Sequence, residues 1–210
     1  MKKTRFLLLI MILAFILIGA WIHFNSSEGI SISLDPGVKA KIVKQNNTPS
    51  DSLSDQTIAS FDTSFSGKLK HGNYVLITTD SGKFQAISHQ FTMGSKPVSL
   101  KIQQPYSSTE LTSLLKTEQA NIDQAFNTKY STYSLSYGYS YKVQQGQLLD
   151  RGEWFGALLV PDNNQYDTLR FVMQKKDGRW LLTTDPPNIV LSSIIYPEVP
   201  KDVLDTVNSL

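Results

Sequence analysis

The sequence predicts an N-terminal transmembrane helix, then a small all-β sandwich, then an α+β domain in which a long helix packs on a curled antiparallel sheet. Three observations predict this order. Phe6 to Phe24 carry no formal charge. Residues 30–103 hold short runs of alternating polarity broken by turn signals, with no helical period between them. Residues 107–130 switch to a 3.6-residue apolar period, and strand patterns resume behind them. The implied organisation is a cytoplasmic stub, anchor and exit linker over 1–29, a β-sandwich over 30–104, and a helix-plus-sheet domain over 105–210.

The anchor reads FLLLIMILAFILIGAWIHF, nineteen residues of which thirteen are Leu, Ile or Phe. As a helix it covers about 28 Å, close to the roughly 30 Å of a hydrocarbon core. Phe6 and Leu13 lie in the apolar run, and Trp21 and Phe24 fit an aromatic belt at the far boundary. Lys2, Lys3 and Arg5 precede it and stay inside by the positive-inside rule, which places residues from Asn25 onward outside. The competing reading is a cleavable leader ending at Ile18-Gly19-Ala20, but the apolar run exceeds the roughly 7–15 residues of a signal h-region. Either way the remaining 186 residues are extracytoplasmic, and with the anchor retained the implied partner is membrane lipid through the N-terminal helix.

Charge and cysteine usage exclude several classes. Three of the 20 basic residues precede the anchor, leaving 17 Lys and Arg against 18 Asp and Glu beyond it, a formal charge of −1. No basic field recruits nucleic acid. With no cysteine there are no disulfides, no thiolate nucleophile, no Cys-ligated metal and no acyl-anchored lipoprotein.

In the first exported domain, Ile30, Ile32 and Leu34 alternate with serines as a half-buried strand. Asp35-Pro36-Gly37 turns the chain, since Pro presets φ and Gly accepts positive φ. Val38 to Val43 returns. Asn46 to Ser60 reads as a solvated loop, with Phe61 and Phe65 pinning its end. Beyond His71-Gly72, strands are expected at Tyr74–Ile77, Phe84–Phe91 and Val98–Ile102, turned at Asp80-Ser81-Gly82 and Gly94-Ser95. Leu69, Gly72, Tyr74 and the hairpin at Gly82 form an L-x-x-G-x-Y pattern that resembles the PEGA-type and related prealbumin-like β-sandwich modules. The resemblance covers about residues 30–103, lacks the name-giving P-E-G-A string, and implies a binding or spacer domain without chemistry.

In the second, Ser107-Ser108-Thr109-Glu110 supplies a capping box. Leu111, Leu114, Leu115, Ile122, Ala125, Phe126 and Tyr130 then fall on one helical stripe. Tyr133, Leu135, Tyr137, Tyr139, Tyr141 and Val143 alternate as a strand, with a break at Gln145-Gly146-Gln147. Trp154–Val160 is a further strand, Leu169–Gln174 and Arg179–Thr183 flank an Asp177-Gly178 hairpin, and Val190–Ile195 is a last strand candidate. Val203, Leu204, Val207 and Leu210 have helical spacing. One helix followed by a meander, with K-D-G-R-W-L-L at 176–182, resembles the NTF2-like and cystatin-like folds over about residues 106–195. Enzymes of that fold commonly use a buried His or an acid–base pair, and this region contains no histidine.

Tyr137, Tyr139, Tyr141, Trp154 and Trp180 are the candidate ligand-binding residues, as a stacking surface for a sugar or aromatic guest. The alternative is that the rings pack beneath the helix with hydroxyls at the rim. Asp150, Glu153, Asp162, Asp167 and Asp185 would be the acids of a hydrolase, or would serve solubility at turns. No catalytic motif, metal-ligand spacing or cofactor fingerprint is present. The implied function is non-catalytic: a single-pass membrane protein whose exported domains bind or space an envelope protein or glycan. The alternative is an envelope hydrolase or carbohydrate binder with an aromatic, acid-rimmed cleft.

Overall fold

The computed structural model describes residues 26–45, 56–137, 141–162 and 166–210, with 131–137 described by backbone alone. The expected anchor, with Phe6, Leu13, Trp21 and Phe24, lies outside the described residues, as do Asn46–Asp55 of the expected polar loop and Tyr139. Among the described residues, no helix is long and apolar enough to cross a membrane. The chain divides into two compact units at Gln104 and Pro105.

Among the described residues the first unit has seven strands: β1 (Ser27–Ser33), β2 (Lys39–Lys44), β3 (Gln56–Asp62), β4 (Ser64–Lys70), β5 (Gly72–Thr78), β6 (Ser88–Met93) and β7 (Val98–Lys101). They form two sheets, ordered β4-β1-β7 and β3-β2-β5-β6. Each sheet buries alternate residues: Ile30 and Ile32 of β1, Ala40 and Ile42 of β2, Tyr74 and Leu76 of β5, Phe91 and Met93 of β6. The result is a β-sandwich-like core built on the two-residue period. Gly37 takes φ 82° in the expected Asp-Pro-Gly turn, where Val38 N–H reaches the Asp35 carbonyl at 3.2 Å. The chain passes between sheets at Thr63, which takes φ 62° while its N–H bonds the Val38 carbonyl.

Three expectations change here. Ser27–Gly29, read as linker, is strand. Gln56–Ser60, read as loop, is part of β3, because its polar side chains are the exposed face of an edge strand whose ladder partner is β2. Phe84–Ile87, read as the start of the strand to Phe91, precedes β6 and is not part of it; β1 pairs with β7 in parallel. A buried polar knot closes the unit: Gln104 Nε2 donates to Thr78 Oγ1 and to the Gln85 carbonyl, and the Gln104 N–H reaches the Asp35 carboxylate at 2.8 Å.

The second unit contains α1 (Ser108–Tyr137), β8 (Tyr141–Leu149), β9 (Trp154–Pro161), β10 (Leu169–Lys176), β11 (Arg179–Leu182) and α2 (Lys201–Asn208). The sheet order is β11-β10-β9-β8, all antiparallel. Ser107 caps α1, its Oγ accepting the Glu110 N–H at 3.1 Å. The expected strand from Tyr133 is helix as far as Tyr137. Tyr130, Tyr133 and Tyr137 also satisfy i, i+3, i+7, and extending an existing helix needs no new nucleus. Gln145-Gly146-Gln147 is a bulge inside β8, with Gln145 at φ 52°.

The central strands bury both faces. Phe155, Ala157 and Leu159 of β9 and Phe171 and Met173 of β10 meet Ile122 and Phe126 of α1. Trp154 and Val172 point the other way, onto Leu191, Tyr196, Val199 and the α2 residues Val203, Leu204 and Val207. An eight-residue helix is not stable alone. Burying three aliphatic side chains contributes on the order of 5–8 kcal/mol to holding it there. Val190–Ile195 is not a strand. Pro186 and Pro187 cannot donate to a ladder, and Leu191 instead finds both partners on the Asn208 amide at 2.9 and 2.8 Å.

Candidate functional site: a groove between α1 and the edge of the sheet

The five candidate aromatics do not form one cleft. Trp154 is 3% exposed and faces α2, whereas Trp180 is 4% exposed and faces α1 on the opposite side of the sheet. Tyr141 packs against the α1 core, its ring edge-on to Tyr130 at 6.3 Å. From there a chain of ring contacts runs through Phe126, Phe171 and Phe155 to Trp180. Aromatic area in this unit therefore serves cohesion between helix and sheet. Tyr137 ends α1, and its side chain, like Tyr139, lies outside the described residues. Of the candidate acids, Asp162 pairs with Lys142 and Asp185 with Lys129, each at 3.1 Å. Among the described residues no three His, Asp or Glu side chains gather as a metal site.

Trp180 nevertheless lines a concavity of this unit. A groove of about 700 Å³ runs between α1 and β11. Its helix wall is Asn121, Gln124, Ala125, Thr128 and Lys129, which share one stripe at i, i+3, i+4, i+7, i+8. Its other wall is the hairpin from Gly178 to Leu182. Asp177 (φ 51°) and Gly178 (φ 75°) make the two-residue turn that starts β11, as Asp-Gly chemistry requires. At the other end the strand stops where Thr184 leaves the ladder and its hydroxyl oxygen accepts the Val172 N–H at 2.7 Å.

One carboxylate fixes the groove's geometry. Glu118 Oε1 lies 2.8 Å from Lys175 Nζ, and its Oε2 accepts the Trp180 indole N–H at 2.9 Å. The hydrogen bond from Lys175, then that from Trp180, holds the Glu118 carboxyl below its ordinary range against the opposing effect of burial. The Lys175 ammonium also lies 5.8 Å from the Trp180 ring centre. Lys129, bonded to Asp185, joins α1 to the exit of β11. Arg179 has no carboxylate in ion-pair reach among the described residues, and Leu181 is 50% exposed.

Trp180 is singled out in the sequence and lines the groove, whereas the residues of the helix wall are not singled out. Asn121, Gln124 and Thr128 are polar side chains of the kind found on any solvated helix face. The signal available was that this polar stripe adjoins the apolar one on the same side as Ala125, a residue too small to fill the space beside a sheet edge.

The fold thus defines a two-unit protein, a β-sandwich-like unit followed by a four-stranded antiparallel sheet with a helix on each face. No family model matches the chain, and no curated protein matches it. A solved structure of a DUF3823 family protein from Parabacteroides merdae is similar at 13% identity and a TM-score of 0.25, over 65% of this chain. The chain spans 58% of that protein.

Proposed function

We propose that the chain is a single-pass, membrane-anchored extracytoplasmic binding or spacer protein of the cell envelope, without catalytic activity. The observation that carries this reading is the uncharged run from Phe6 to Phe24 behind Lys2, Lys3 and Arg5. The first unit, read as PEGA-like or prealbumin-like, is the spacer. The second, read as NTF2-like or cystatin-like, is the contact module. A long helix on one face of an antiparallel sheet supports that relation, and the groove beside β11 gives the module a place to bind. Binding an envelope protein or a glycan requires no acid–base pair, which agrees with ion-paired Asp162 and Asp185.

N-terminal sequencing of the protein recovered from membranes tests the tether. Retention of the residues before Trp21 is expected. A mature chain starting at Trp21 would mean a cleaved leader and no anchor.

A further inference from the structure

We infer that the groove between α1 and β11 binds an extended acidic peptide segment, which pairs with the outer edge of β11 as a fifth strand and sets a carboxylate against Arg179. This deepens the proposed function and rests on reading the second unit as a contact module. Three features of the site select this occupant.

The first is the edge itself. β11 terminates the sheet, and among the described residues no strand pairs with its outer side. Such an edge presents a row of N–H and C=O groups to an incoming chain. The opposite edge, β8, is broken by its bulge between Gln144 and Gln147, whereas β11 holds an unbroken register with β10 over all four residues. Of the two edges of this sheet, β11 offers the more regular template among the described residues.

The second is the match of dimensions. From Asn121 to Lys129 the helix wall extends about 12 Å, and four strand residues extend about 13 Å. The two walls are therefore matched in length, each spanning about four extended residues. Asn121, Gln124 and Thr128 are exposed on the helix wall and can meet side chains of an added strand. Arg179 and Leu181 alternate with Trp180 and Leu182, which pack toward α1, so they meet the other face of that strand, where Leu181 gives it an apolar neighbour.

The third is charge. Lys129 is engaged by Asp185 and Lys175 by Glu118, which leaves Arg179 as the lining cation without a carboxylate partner among the described residues. Its planar guanidinium suits a carboxylate better than any neutral group.

The test uses the full chain in detergent micelles and a fluorescein-labelled octapeptide alternating valine with glutamate, followed by fluorescence anisotropy. Saturable binding is expected, at least tenfold weaker when lysine replaces glutamate. Arg179→Glu should weaken binding of the acidic peptide at least tenfold. Thr128→Tyr, which fills the groove from an exposed helix position, should abolish it while leaving the circular dichroism spectrum unchanged. Two further peptides carry N-methyl groups on the valines or on the glutamates, and at least one should lose binding, because strand addition needs one set of amides.

The inference is overturned if the acidic peptide does not bind saturably, if both methylated forms bind as the parent does, or if Thr128→Tyr binds normally. A concentration-dependent dimer abolished by Thr128→Tyr, with no peptide bound, would overturn it in favour of edge pairing between copies. Failure here leaves the envelope reading standing, because membrane topology is measured separately. Correct peptide binding on a chain facing the cytoplasm would remove the envelope reading and keep the groove.

Discussion

Glu118 is the residue through which α1 grips the hairpin edge, and its chemistry sets a pH dependence. Its carboxyl is held below the ordinary value near 4.5 by Lys175 and Trp180. A group depressed in the folded state contributes stability that is present above the unfolded value and is lost as pH falls through the folded one. The second unit should therefore lose stability on acidification below about pH 4.5, in addition to any general acid effect. Glu118→Gln should cost about 1–2 kcal/mol at neutral pH and flatten that acid limb. Urea titrations read by tryptophan fluorescence report this unit selectively in a Trp21→Phe background, because Trp154 and Trp180 are then the only indoles. A Glu118→Gln protein with the same acid limb as the parent would show that the carboxylate is not the titrating group.

Gly156 is a second position where one atom decides. A Cβ there would meet Val207 Cγ2 at 2.1 Å, so α2 sits directly on the bare backbone of β9. Gly156→Ala should destabilise the unit by about 3 kcal/mol through overpacking. Val207→Ala alone should cost about 2 kcal/mol through the cavity it leaves. In the double variant the new methyl occupies the vacated space, so the summed cost should fall short of additivity by more than about 1 kcal/mol. Additive costs would mean that α2 is not seated on Gly156.

At the scale of elements, legibility followed the number of periods a segment could satisfy. β1, β5, β9, β10 and β11 have one consistent pattern each and strong turn residues beside them, and they lie close to where the sequence places them. The Tyr-Ser stretch after Tyr130 satisfies two periods at once, and the helix wins because it is already nucleated at Ser107. The continuous apolar run Trp154–Val160 was itself a sign that both sheet faces are covered, and the helical spacing of Val203, Leu204 and Val207 supplied the cover. The groove was less legible, because an edge strand and a polar helix stripe become one site only through sheet order, which no local pattern encodes.

The segment 190–195 makes the same point. Its β-branched residues look like a buried strand, yet Ile194 is 89% exposed and Ile195 58%. The segment is shaped by Asn208 and by a single bridge from Asn188 to Arg170. Ile194→Lys should change folding stability by less than about 0.5 kcal/mol, as for other exposed positions. A loss above about 2 kcal/mol would mean that this side chain is buried in solution.

For the whole molecule, two units without cysteine are each held by apolar cores and by polar contacts such as the Gln104 knot. In the proposed reading, what the chain does with them depends on the side of the membrane on which they stand. The absence of native cysteine makes that directly measurable, because one introduced thiol is the only one in the protein. Lys96→Cys, in an exposed turn of the first unit, and Lys116→Cys, on the solvent face of α1, should both react in spheroplasts with a membrane-impermeant maleimide. Thr4→Cys should react only after permeabilisation. Labelling of Thr4→Cys in intact spheroplasts, with Lys96→Cys and Lys116→Cys protected until lysis, would contradict the account.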